Sequence, residues 1–127
     1  MSDPARALSS VLGRGSAHEG AHHWRAQRLT ALALLLLGPW FAISMARLPD
    51  FSYGSVHGFV SGLCNSALLC LLTACLCWHS QLGVQVVIED YVKGAARMAA
   101  LIVSAFVHVL LAVLAVLAVL RVAFTAH

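Results

Sequence analysis

In "CLCWHSQLGVQVVIEDYVK" (residues 75–93), His79, Asp90 and Tyr91 are side chains capable of chemistry, set within or at the end of a long apolar run. An imidazole can bind a metal or carry a proton, a carboxylate can pass protons, and a phenol can donate a hydrogen bond. Ionisable groups at membrane depth are costly, and each is a functional hypothesis by default. Read at helical periods from His79, one face carries Cys75, Gly83, Val86 and Asp90 in one direction and Asn65 and Ser61 in the other. Gly83, one turn from His79, removes bulk where something flat would need to approach. A haem macrocycle is such an object, and neutral imidazole is a common axial ligand of its iron. On pattern alone His79 stays open among haem ligand, hydrogen-bonding partner of a neighbouring helix, and proton relay.

Asp90 and Tyr91 follow His79 by 11 and 12 residues, which on a helix is about 16–18 Å along the axis, near a membrane interface. There Tyr91 can be a belt tyrosine, the usual reading for membrane proteins, or can hydrogen-bond a quinone carbonyl while Asp90 hands on protons. His108, in "SAFVHVLLAVL", has Ser104 one turn before it and no glycine beside it, which favours a helix–helix hydrogen bond. Cys64, Cys70, Cys75 and Cys77 show no CxxC and no pairing pattern, so neither a zinc site nor a disulfide framework is expected.

The elements that position these groups follow from composition. The chain has 127 residues, 61% hydrophobic and 10% charged, where soluble domains carry about a quarter charged residues. Residues 29–46, 51–88 and 98–120 contain no Asp, Glu, Lys or Arg. About 20 helical residues cross roughly 30 Å of hydrocarbon, so each window is long enough for one span. The expectation is an all-α fold of three transmembrane helices at about 25–48, 58–88 and 96–124, preceded by an arm over 1–24, in one domain covering 1–127. The middle window is too long for one upright span, and tilt or protrusion would absorb the excess. Gly38-Pro39 predicts a kink in the first span. "HHWRAQR" (22–28) has the look of an interfacial anchor, with Trp24 among headgroups and arginines on phosphates.

The net charge of +3 is too small to suggest nucleic acid as a partner. Arg6, Arg14, Arg25, Arg28, Lys93 and Arg97 lie on one side of the expected spans, and only Arg47 and Arg121 on the other. That asymmetry predicts a cytoplasmic N-terminus and a C-terminus facing outside, in the periplasm of a bacterium. A cleaved signal is rejected, because about 28 polar residues precede the long first apolar run. Asp3 and Glu19 argue against a transit peptide, which favours a bacterial inner membrane over a mitochondrial one.

Taken together, "HSQLGVQVVIEDYVK" (79–93) resembles the H-x3-G-x6-DY pattern of the small membrane-anchor subunit of succinate dehydrogenase, a b-type cytochrome subunit. "AHHWRAQRLTA" (21–31) is similar to that family's segment before the first span, where a His stands six residues ahead of an Arg and Thr-Ala follows. The resemblance covers about residues 20–120, and the third span matches only in being apolar. It implies that His79 is one axial ligand of haem b, with the second supplied by the cytochrome b large anchor subunit. It also implies that Tyr91 hydrogen-bonds ubiquinone, that Asp90 supports that site or its proton delivery, and that Arg28 and His22 lie near the haem propionates or quinone pocket. Two departures stand out: Glu89 precedes the Asp-Tyr pair, and His23 beside His22 shifts the histidine assignment by one residue. Succinate oxidation would occur in a flavoprotein subunit and an iron–sulfur subunit, since this chain has neither a dinucleotide fingerprint nor a cysteine cluster. It would be part of an enzyme and not catalytic alone. The alternatives are the anchor of a quinol:fumarate reductase and a cofactor-free membrane scaffold or assembly protein.

Overall fold

A computed structural model describes residues 16–125, so the first fifteen residues of the expected arm, with Arg6 and Arg14, lie outside the described residues. Four helices follow one another: α1 (Ser16–Ala46), α2 (Tyr53–Ser61), α3 (Leu63–Tyr91) and α4 (Ala95–Thr125). Three of them, over Gly20–Ala46, Leu63–Tyr91 and Ala95–Thr125, are long and apolar enough to cross a membrane. The all-helical, three-span expectation therefore holds, with two changes at the boundaries.

The first change is that α1 begins at Ser16 and not near residue 25, so the end of the expected arm, "HHWRAQR" included, is already helical. Ala21, Arg25, Ala26, Gln27 and Arg28 are good helix formers, and nothing between Pro4 and Pro39 interrupts them. Pro39 lies inside α1 without ending it. One turn later Ser44 Oγ donates to the Trp40 carbonyl at 2.7 Å, a local bond of the kind that keeps such a segment helical in lipid. Leu48 then precedes Pro49, a position that disfavours helix.

The second change is a break in the middle window, where one helix over 58–88 was expected. Gly62 adopts an extended backbone (φ −65°, ψ 128°) and closes α2 while opening α3. Asn65 Nδ2 donates to the Phe59 carbonyl at 2.9 Å, filling an acceptor that the break frees. A Cβ at residue 62 would stand 3.3 Å from that amide nitrogen, a tight contact that the Asn65 side chain would have to relieve by shifting. The chain thus turns at Gly62 where tilt of a single helix was expected. Even so, α3 has 29 residues, roughly 43 Å against about 30 Å of hydrocarbon, so its ends reach the interfaces.

Ser52 caps α2, its hydroxyl accepting from the Ser55 amide at 3.4 Å, and Asp50 braces that cap, its carboxylate accepting from the Ser52 amide (3.1 Å), the Ser52 hydroxyl (2.6 Å) and the Ser55 hydroxyl. Ser52, first among these, and then Ser55 hold the Asp50 carboxyl below the usual carboxylate range. A depressed folded pKa contributes stability above the unfolded carboxylate range and loses it as pH falls through the folded value. Acidification through that window is expected to lower the protection of the Ser55 and Val56 amides, the start of α2, relative to their intrinsic exchange, and Asp50→Asn should remove this pH dependence. Protection that falls equally in wild type and variant would exclude Asp50 as the support of that cap. At the other end of the chain's core, Gly94 joins α3 to α4 at φ 67°, a left-handed conformation that costs a residue with a Cβ about 1 kcal/mol or more.

Helix α3 is the middle of the assembly. It packs on α1 and on α4, while α1 and α4 make no contact with each other among the described residues, and α2 rests on α3 and α4. The three spans form a row and not a closed bundle. Among the described residues only Ala26, Thr30, Leu37, Ser66 and Leu82 are buried, and large side chains such as Leu36, Phe106 and Leu114 stand exposed. A row of helices with two open faces must be covered by lipid or by other helices.

Candidate functional site

Where α1 crosses α3, the imidazole of His79 is held by two side chains of α1. Thr30 Oγ1 lies 3.0 Å from His79 Nδ1, and Gln27 Nε2 lies 3.4 Å from His79 Nε2. The Thr30 hydroxyl has one hydrogen, directed back along its own helix to the Ala26 carbonyl at 2.9 Å, with the Gln27 carbonyl at 3.1 Å. With that hydrogen on Ala26 its oxygen is left to accept from His79, which corresponds to the tautomer with the proton on Nδ1 and a lone pair on Nε2. The Gln27 amide can only donate, weakly at this distance, to that lone pair. Neutral imidazole with a backed Nδ1–H and an available Nε2 is the state in which histidine ligates a metal.

The surroundings fit a large planar group. Gly83 has open space beside it, since a Cβ there would meet nothing within 4 Å. Two buried polar atoms near this crossing, His23 Nε2 and Gln27 Oε1, have no hydrogen-bond partner, and such orphans are rare in finished interiors. No group of three or more His, Cys, Asp and Glu gathers among the described residues, and the four cysteines are free. The donor set thus suits an iron already held by a macrocycle, to which a chain contributes a single nitrogen, and does not suit a bare metal ion.

Residues 23, 27 and 30 share one face of α1 by helical spacing, and Thr30 and Gln27 show that this face meets His79. His22 and Arg28 stand elsewhere. Both are exposed and line a cavity of about 470 Å³ with Trp24, Arg25 and Trp78. The Arg28 guanidinium lies 5.1 Å from the centre of the Trp24 ring, a cation–π contact. The structure therefore brings His22 and Arg28 together beside Trp78, the neighbour of His79, and puts His23 on the face that meets His79 itself.

Asp90 and Tyr91 are the last two residues of α3, and both are exposed, Tyr91 at 82%. They share α3 with His79 but not its surroundings, being about 16–18 Å farther along the axis. Glu89, the departure in the motif, accepts a hydrogen bond from Gln85 Nε2 at 3.0 Å, a bond one helical turn long.

His108 takes the helix–helix role that its sequence context favoured. Its Nδ1–H donates to the Ser104 carbonyl at 2.8 Å, which leaves Nε2 to accept from the Ser80 hydroxyl at 3.1 Å. Beside it the Ser104 hydroxyl donates to Gln81 Oε1 at 2.9 Å. These bonds tie α4 to α3 and leave both nitrogens of His108 engaged. Sequence reasoning missed Thr30 and Gln27. Their signal was the i, i+3 spacing of two polar residues at the start of an apolar run, on one helix face.

A family model described as succinate dehydrogenase/fumarate reductase transmembrane subunit matches residues 2–120. A succinate dehydrogenase hydrophobic membrane anchor subunit of Paracoccus denitrificans is 36% identical over 93 residues, which is 72% of this chain and 71% of that protein. Proteins of the same description from Rickettsia bellii and Rickettsia typhi are 33% and 32% identical, over 62% and 61% of this chain. The matched segments are 63% and 62% of those two relatives' lengths.

Proposed function

The chain belongs to the succinate dehydrogenase/fumarate reductase transmembrane subunit family, and from that premise we propose that it anchors succinate dehydrogenase, shares haem b and completes the ubiquinone site. The flavoprotein and iron–sulfur subunits would be held at the membrane surface, and the cytochrome b large anchor subunit would cover an open face of the helix row. The observation that carries this reading is the arrangement at His79, whose Nδ1 lies 3.0 Å from the hydroxyl of buried Thr30, with Gly83 one turn farther along α3.

In this reading His79 Nε2 ligates the haem iron. When bound, haem b would supply a one-electron store at His79. Arg28 and His22 present positive charge and hydrogen-bond donors to carboxylates at the membrane interface, where propionates or the quinone pocket would lie. Tyr91 donates its phenol proton in a hydrogen bond to a ubiquinone carbonyl oxygen. Asp90 passes protons from the aqueous side, so that two electrons from the iron–sulfur subunit and two protons convert quinone to quinol.

Orientation follows from charge. The helix contacts run antiparallel, Thr30 against His79 and Ser80 against His108, so Arg25, Arg28, Lys93 and Arg97 gather toward one end of the row. That end faces the cytoplasm of a bacterial inner membrane, with the C-terminus in the periplasm. Relatives named as succinate dehydrogenase anchors favour that enzyme over a quinol:fumarate reductase.

Isolation in mild detergent through a tag on this chain is expected to bring down a flavoprotein, an iron–sulfur protein and a second membrane subunit, with succinate:ubiquinone reductase activity. Recovery of the chain alone, stable and without succinate oxidation, would contradict the anchor reading.

A further inference from the structure

We propose that Thr30 is the positioning residue that sets the tautomer and basicity of His79, and that Gln27 only occupies the ligating nitrogen until iron takes it. This rests on the haem reading above.

The two contacts differ in kind. Thr30 is buried, 3% exposed, and both functions of its hydroxyl are used: it donates to the Ala26 carbonyl and accepts from His79 Nδ1 at 3.0 Å. With its hydrogen on the Ala26 carbonyl the hydroxyl is an acceptor, which favours the imidazole with its proton on Nδ1. An acceptor on Nδ1–H also makes the opposite nitrogen a better donor to a metal. Gln27, by contrast, reaches Nε2 at 3.4 Å and leaves its own Oε1 buried without a partner. That contact is long and its group half-satisfied, so it is the one that gives way. Once displaced, the amide is free to find partners for the orphaned oxygen.

The two roles predict opposite outcomes in the assembled complex. Thr30→Val keeps shape and removes the acceptor. The midpoint potential of the b-type haem is expected to rise, because a less basic imidazole favours the ferric state less. Haem loss to excess apomyoglobin is expected to be favoured about 10–100-fold more, the usual effect of deleting such a partner. Thr30→Ser should restore both values, and Gln27→Leu should leave the potential unchanged. Succinate oxidation with an artificial acceptor, unaltered in all three variants, reports that the complex has assembled. An unchanged potential in Thr30→Val, or equal shifts in Thr30→Val and Gln27→Leu, would overturn the assignment. If instead His79→Ala keeps the haem absorption band, the underlying haem reading fails, and the two failures are told apart.

Discussion

A complex carrying His79→Ala is expected to assemble, oxidise succinate and lack most of its b-type absorption. Alanine removes the imidazole that Thr30 holds at the α1–α3 crossing, and among the described residues no group of three or more His, Cys, Asp and Glu gathers there. Loss of an axial ligand costs more than loss of a residue behind one, which alone weakens binding about 10–100-fold. Haem content should therefore fall to about a tenth of wild type or less. Assembly should survive because the Thr30 hydroxyl keeps its bond to Ala26, and because one interhelical bond in a membrane contributes only about 0.6 kcal/mol on average. The pairing of α3 with α4 through Ser80, Gln81, Ser104 and His108 is untouched. His108→Ala serves as the control, since both its nitrogens are engaged within the helix pair, and the absorption band should persist.

Tyr91→Phe should separate the two halves of the reaction. Phenylalanine keeps the ring at the end of α3 and removes the hydroxyl alone. If that hydroxyl binds a quinone carbonyl, its loss forfeits roughly 0.5–1.5 kcal/mol, or about 2–10-fold in quinone reduction. Succinate oxidation measured with a soluble acceptor should be unchanged, because the partner subunits perform it. Tyr91 is 82% exposed within this chain, so its replacement disturbs no packing there. An equal fall in both activities would make Tyr91 a residue of assembly. No change in either would return it to the ordinary aromatic belt.

Much of this was legible from residue order, and the reasons differ by element. Three charge-free windows disclosed three spans, because a bilayer excludes charge over a length that the chain must meet. The break at Gly62 was not legible. It depends on Asn65 reaching back to the Phe59 carbonyl, and no local signal shows that this glycine turns the chain where Gly83 leaves it straight. The early start of α1 was hidden because a polar, basic helix end and an interfacial arm have the same composition. At the site, His79, Gly83, Asp90 and Tyr91 declared themselves by type and spacing on one helix. Thr30 and Gln27 did not, because their importance lies in which face of α1 meets α3, a tertiary fact. For the same reason sequence alone could not choose between His22 and His23 for the inner face.

The central claim, that this chain supplies an axial histidine to a haem, is tested most directly by one comparison. The dithionite-reduced optical spectrum of the tag-isolated complex, with haem quantified per chain, should be recorded for wild type and His79→Ala. The account predicts about one b-type haem per wild-type chain, with a low-spin band that is lost in the variant. An identical band and haem content in both would contradict it.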